Sequence, residues 1–179
     1  MQKFMELKSL APFLVCNEFK DEKSLVVSIN QFLILLTFLK KHLNYQYNLL
    51  SCISGVDLFN VSYRFCICYE LLSLTFNSRV RIKVFLDEVT SVPSVISLYV
   101  NSNWWEREIW DMYGIYFDNH PDLRRILTDY GFEGYPMRKD FPLYGFIELR
   151  YDEGKKKVVV EPVELTQEFR SFSFETPWS

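Results

Sequence analysis

Residues 63–86 read YRFCICYELLSLTFNSRVRIKVFL, and this stretch decides the fold. Tyr63, Phe65, Ile67, Tyr69 and Leu71 alternate with Arg64, Cys66, Cys68 and Glu70. After Asn77-Ser78 the alternation resumes, with Val80, Ile82, Val84 and Leu86 set against Arg79, Arg81, Lys83 and Phe85. A period of two on both sides of a turn signal predicts a long antiparallel hairpin with one buried face. Such a hairpin needs a second layer to cover that face.

The flanking sequence supplies the layer. Residues 24–29 read as a strand, and residues 31–43 as a helix whose apolar side chains cover most of its circumference. Residues 49–53 suggest a further strand. A helix is expected after Pro93. Another is expected from Asn103, which can cap the backbone while Glu106 reaches back in a capping box, and Gly114 is its natural stop. The expected fold class is α+β: a mixed sheet with helices on one face, followed by a long extended tail.

Composition marks where the tail begins. Residues 1–103 contain one glycine and two prolines, whereas residues 104–179 contain five of each. The expected division is a compact domain over 1–118 and a partner-binding tail over 119–179. Within the tail, residues 144–151 and 157–161 can pair as a short hairpin over Asp152-Glu153-Gly154. The tail is rich in Tyr, Phe and paired charges but too punctuated to build a core, so a partner protein is the surface expected to order it.

The 179 residues are enough for one domain with an appendage, and 49% hydrophobic content excludes general disorder. A net charge of −3 argues against a nucleic-acid or anionic-membrane surface over the whole molecule. The most apolar stretch, residues 24–39, is interrupted by Asn30 and Gln31 and is too short to span a bilayer. Nothing near the start has the pattern of a signal or transit peptide. Cys16, Cys52, Cys66 and Cys68 lack metal-site spacing and read as reduced thiols in or near the core. No GxGxxG, GxxxxGK[ST], CxxC or HExxH motif occurs. Alanine occurs once, while Phe, Tyr, Ile, Asn and Lys abound, a bias that fits an AT-rich organelle genome.

Charge concentrates in two places. Glu106, Arg107, Glu108 and Asp111 share a helix, with Arg107 and Asp111 one turn apart. The run His120-Pro121-Asp122-Leu123-Arg124-Arg125, with Arg138, Lys139 and Asp140 further on, mixes both signs. Glu108 and Asp111 with His120 could serve acid/base chemistry in a free-standing enzyme, but no nucleophile lies nearby. Ion pairing at a subunit interface is the reading preferred here.

Three runs carry a family resemblance: Glu106-Arg107-Glu108-Ile109-Trp110-Asp111-Met112-Tyr113-Gly114-Ile115, His120-Pro121-Asp122-Leu123-Arg124-Arg125-Ile126-Leu127, and Gly134-Tyr135-Pro136-Met137-Arg138-Lys139-Asp140-Phe141-Pro142-Leu143. With Ser54-Gly55-Val56-Asp57 and the tail from Glu161 through Glu168 and Arg170 to Trp178, they resemble subunit 9 (mitochondrial naming) of NADH:ubiquinone oxidoreductase, respiratory complex I, and the bacterial counterpart of that subunit. This is the 30 kDa subunit of the complex, and the tail matches the mitochondrial type rather than the plastid one. The resemblance extends from about residue 25 to the end. Tyr135 stands where the family usually has His, and Met137 where Leu is usual.

The resemblance implies a non-catalytic subunit of the peripheral arm, on the matrix side of the mitochondrial inner membrane, docked on the large quinone-site subunit. It implies no cofactor on this chain; FMN, the iron-sulfur clusters and ubiquinone would belong to neighbours. The residues expected at the partner interface are Glu106, Arg107, Glu108, Asp111, His120, Asp122, Arg124, Arg125, Arg138, Lys139, Asp140, Glu161, Glu168 and Arg170.

Overall fold

The hairpin forms as its alternation requires, in a computed structural model that describes residues 12, 14–19, 22–59, 61–164, 172, 174, 176 and 178. Strands β4 (Phe65–Ser73) and β5 (Ser78–Leu86) pair antiparallel from Phe65↔Leu86 to Ser73↔Ser78. Phe65, Ile67, Tyr69 and Leu71 are buried on one face together with Val80, Ile82, Val84 and Leu86. Tyr63 lies ahead of the strand and is exposed.

Three more strands complete the sheet: β1 (Val15–Phe19), β2 (Glu22–Val27) and β3 (Leu49–Asp57). The order is β1-β2-β5-β4-β3. All neighbours are antiparallel except β2 and β5, which run parallel from Ser24↔Arg81 to Val27↔Val84. The sheet is therefore mixed, as expected. Strand β1 is an addition to the expected set, and β3 continues to Asp57 rather than stopping near residue 53.

Helix α1 (Ile29–Lys41) follows β2 and crosses onto the hairpin's buried face, where the Phe32 and Tyr69 ring centroids lie 4.6 Å apart. Phe32, Leu35, Leu36 and Leu39 are buried, each stabilising the fold by about 1.5–3 kcal/mol. Burial of this helix is one-sided. Ile34 is exposed, because the helix has the sheet on only one side.

Helix α2 (Ser102–Tyr113) lies on the same face, its Tyr113 ring 6.4 Å from that of Phe65. Gly55 makes room for it, since a Cβ there would stand 2.7 Å from the Tyr113 ring. The helix ends where expected: Gly114 adopts φ 76° and its N–H bonds the Trp110 carbonyl at 2.9 Å. Its start differs. The N-cap is Asn101, whose amide donates to the Leu50 carbonyl at 2.7 Å, and no capping box forms because Glu106 is engaged elsewhere. After Pro93 there is a single turn, closed by Tyr99 N–H to Val95 O, instead of a helix. Short strands β6 (Val92–Pro93) and β7 (Phe117–Asp118) pair in parallel and tie together the two ends of this helical segment.

The chain divides into two units, Met1–Lys139 and Asp140–Ser179. The first thus runs past the boundary expected at 118, because residues 119–139 are fastened to it. In the second, β8 (Ile147–Asp152) and β9 (Lys157–Pro162) form the anticipated hairpin. Ile147, Leu149, Tyr151, Val158 and Val160 share one of its faces, and all are exposed within their unit. Among the described residues no helix is long and apolar enough to cross a membrane.

Candidate partner interface

Buried carboxylates on β3 and α2 hold residues 120–139: Asp57 and Asp111 accept the loop's backbone N–H groups, and Glu106 braces residues 94–95 beside His120. Asp111, on α2, faces inward and its side chain is fully covered. Its Oδ2 accepts the backbone N–H groups of Ile126 (3.2 Å), Leu127 (2.7 Å) and Thr128 (3.0 Å). Its Oδ1 accepts the Thr128 hydroxyl at 2.6 Å and Arg125 Nη1 at 3.2 Å. Burial works against the charge, but the Thr128 hydroxyl and the three N–H groups outweigh it and hold the carboxyl below its ordinary range. A carboxylate with five donors and no exposure has no capacity left to act as a base on a substrate.

Glu106 sits one turn earlier, also with no exposure. It accepts the Ser94 hydroxyl at 2.6 Å and the Val95 N–H at 2.8 Å. Burial pushes its carboxyl up, only partly opposed by those donors and by His120. His120 Nδ1 lies 3.1 Å from the Asp122 N–H, and its Nε2 is 3.4 Å from the Asn103 carbonyl and 3.9 Å from Glu106.

Asp57, at the end of β3, is the third. Arg64 grips it through Nε (2.9 Å) and Nη2 (3.0 Å), and its Oδ2 also accepts the Lys139 N–H at 2.8 Å. The Arg64 hydrogen bonds are the main cause holding this carboxyl below its usual value. Arg64 extends the network to Glu88 at 2.6 Å.

Two arginines brace the loop, one to itself and one to α2. Arg125 bonds the Gly134 carbonyl at 3.0 Å, and Arg138 Nε bonds the Tyr113 carbonyl at 2.7 Å. The Tyr135 ring lies 5.1 Å from the Arg125 guanidinium and 4.7 Å from that of Arg138, with Trp110 edge-on at 5.9 Å. Each cation is attracted to the ring's electron-rich face. Gly114 lets this stack approach, since a Cβ there would lie 2.6 Å from the Tyr135 ring.

The residues expected at the interface fall in different settings. Glu106, Asp111, His120, Arg125 and Arg138 are engaged inside the chain, and Lys139 contributes its backbone to Asp57. Arg107 and Asp111 do not pair: Arg107 is buried, bonds the Arg124 carbonyl at 3.2 Å and lies over Trp104 at 5.0 Å. Glu108 is half-buried, and Asp122 and Arg124 pair in the open at 3.0 Å. In the second unit, Asp140 opens the segment, and Glu161 pairs with Arg150 at 2.7 Å. Glu168 and Arg170 lie outside the described residues. The loop turns outward Leu127 (62% exposed), Tyr130 (102%) and Met137 (53%). Sequence reasoning missed Asp57, Arg64 and Glu88 as a network. The only signal was a carboxylate and an arginine at the ends of two adjacent apolar strands.

None of the four cysteines is in a disulfide, and among the described residues no group of three or more His, Cys, Asp or Glu is placed to hold a metal ion.

A family model described as "Respiratory-chain NADH dehydrogenase, 30 Kd subunit" matches residues 25–146. NADH-ubiquinone oxidoreductase subunit 9 of Reclinomonas americana is 55% identical over 159 residues, 89% of this chain and 78% of that protein. NADH dehydrogenase [ubiquinone] iron-sulfur protein 3 of Beta trigyna is 57% identical over 144 residues, 80% of this chain and 75% of that protein. Among solved structures, a chain of the membrane-bound sulfane sulfur reductase, an archaeal respiratory membrane complex, superposes with a TM-score of 0.69. At 22% identity over 88% of this chain and 98% of that one, it shows the same fold.

Proposed function

The chain belongs to the family of the 30 kDa subunit of respiratory-chain NADH dehydrogenase, and from that premise we propose that it is a non-catalytic scaffold in the peripheral arm of the mitochondrial enzyme. Its partner is the large quinone-site subunit, and the loop of residues 120–139 is the docking element of its first unit. The complex transfers electrons from NADH to ubiquinone. This chain supplies shape, while FMN, the iron-sulfur clusters and the quinone pocket belong to neighbours. It works on the matrix side of the inner membrane and is encoded in the organelle genome.

The observation that carries this reading is the contrast between the loop's two sides. Inward, Asp57 and Asp111 fix its backbone. Outward, it offers Leu127, Tyr130 and Met137 to solvent. A rigidly held loop with exposed apolar side chains loses little conformational entropy on docking, and aromatic anchors are common among residues that dominate interfaces. In the second unit, the apolar face of β8 and β9 offers a further surface, since a two-stranded hairpin is marginal alone.

The test is a pull-down of the tagged chain from gently solubilised membranes, with mass spectrometry of partners and an NADH:quinone assay. Recovery of the quinone-site subunit with activity supports the scaffold. Tyr130→Asp should leave the folded chain unchanged yet abolish co-purification, whereas Arg138→Glu should lower assembly before it changes quinone affinity. A fully assembled Arg138→Glu complex that had lost quinone turnover would overturn the proposal, as would recovery of a lone, monodisperse monomer.

A further inference from the structure

The face of the sheet opposite the two helices carries reactive groups that the docking loop does not use. There β4 presents Cys66, Cys68 and Glu70 in succession. The register sets Phe85, Lys83 and Arg81 beside them on β5, and Val56, Ser54 and Cys52 beside them on β3. The Cys66 and Cys68 sulfurs are 4.0 Å apart. Cys66 is 4% exposed and Cys68 8%, so only small solutes reach them. Arg81 is committed to Glu70 and Glu22. Lys83, directly across from Cys68, forms no ion pair among the described residues, so its ammonium is available to an anionic sulfur.

We propose that Cys66 and Cys68 form a reversible dithiol that reacts with small hydroperoxides, with Cys68 as the attacking thiolate and Cys66 as the resolving thiol. The sulfurs are within hydrogen-bonding distance, and with the Cys66 thiol donating, that bond holds the Cys68 thiol below its ordinary value; burial opposes this, and Lys83, across from Cys68 on β5, and Arg81 assist. The same bond, with burial, pushes Cys66 up. Nucleophilicity belongs to the thiolate, so the two sulfurs have different roles.

In the first step Cys68 sulfur attacks one peroxide oxygen, the O–O bond breaks, and the proton that Cys68 gave up ends on the departing alkoxide. Cys68 is then a sulfenic acid, oxidised by two electrons. In the second step Cys66 sulfur displaces hydroxide from it, and the Cys66 proton leaves with that hydroxide as water. The sum is two thiols plus one hydroperoxide, giving a disulfide, an alcohol and water. Residues two apart on a strand have Cα atoms roughly 6.6 Å apart, near the upper end of what a disulfide bridges. Closing the bond must pucker β4, so dithiol reductants should reopen it readily.

The experiment takes the assembled complex from membranes, reduces it, titrates it with hydrogen peroxide, and maps all four cysteines by differential alkylation and mass spectrometry. Cys66 and Cys68 should lose alkylation together, their shared peptide should lose two hydrogens, and dithiothreitol should restore both. Cys66→Ser, whose hydroxyl can keep the hydrogen bond to Cys68, should stop at a Cys68 sulfenic acid that dimedone captures when the chain is unfolded in its presence; Cys66→Ala should reach the same sulfenic acid more slowly, and Lys83→Met should slow the reaction several-fold. Three results would overturn the proposal: earlier oxidation of Cys16 or Cys52, a bridge from Cys68 to Cys52, or a reduced pair at peroxide levels that oxidise ordinary thiols.

Discussion

Residues 120–139 and residues 147–162 share a composition of glycine, proline, aromatics and mixed charge, yet different interactions hold them. In the first stretch the polar partners are carboxylates with no exposure, placed by β3 and α2. In the second, the principal ion pair is Arg150 with Glu161, whose side chains are 54% and 38% exposed. Water screens such a pair, so it orients a strand without stabilising it much. The comparison teaches that a loop without secondary structure can belong to the fold, while a regular hairpin can depend on what covers it.

Asp111→Ala is the strongest way to break this comparison. It leaves Arg125, the Thr128 hydroxyl and three backbone N–H groups without their acceptor. The expected loss is about 3–5 kcal/mol, read from the urea midpoint of the purified chain. A loss similar to that of an exposed carboxylate would mean that the loop is not held by Asp111. Gly114→Ala comes next, because it forces a left-handed residue and drives a methyl group into Tyr135 and Arg138. It should lose roughly 2–3 kcal/mol and raise amide exchange across residues 134–138.

The pH dependence sharpens the contrast further. Asp57 and Asp111 have depressed carboxyl values in the folded chain. Their stabilisation is therefore complete above the unfolded value of about 4 and is lost as pH falls through the folded values. Glu106 acts oppositely: its raised carboxyl makes stability fall as pH rises from about 4.5 through the folded value. Asp111→Asn should flatten the acid limb of a midpoint-against-pH curve, and Glu106→Gln the limb above it. The smallest effect belongs to Arg150→Ala, which should leave the unfolding midpoint of residues 14–139 unchanged.

Most strands and helices were legible because their patterns are local: alternation gave β4 and β5, an apolar stripe gave α1, and Gly114 gave the end of α2, whereas β1 and the single turn after Pro93 were not read. The parallel pairing of β2 with β5 was not legible, since nothing in either strand names a partner over fifty residues away. The candidate site was half legible. Charged residues such as Asp111, Arg125 and Arg138 stand out in the sequence, but their partners are largely backbone groups, and backbone N–H groups have no signature there. That is why the internal partners of these residues could not be read, and why Glu106 read as a cap rather than as an acceptor for Ser94 and Val95.

The parallel pairing of β2 and β5 also constrains how the chain is made. Ser24 meets Arg81, so the centre of the sheet cannot close until the whole of β5 has left the ribosome. At ordinary synthesis rates that delay is roughly 3–11 s. During it, Leu25 and Val27 and the apolar side of α1 have no sheet to cover them. A nascent chain with such an interval is a substrate for holding chaperones, and slowing translation between β2 and β5 should increase aggregation more than slowing it anywhere after residue 86.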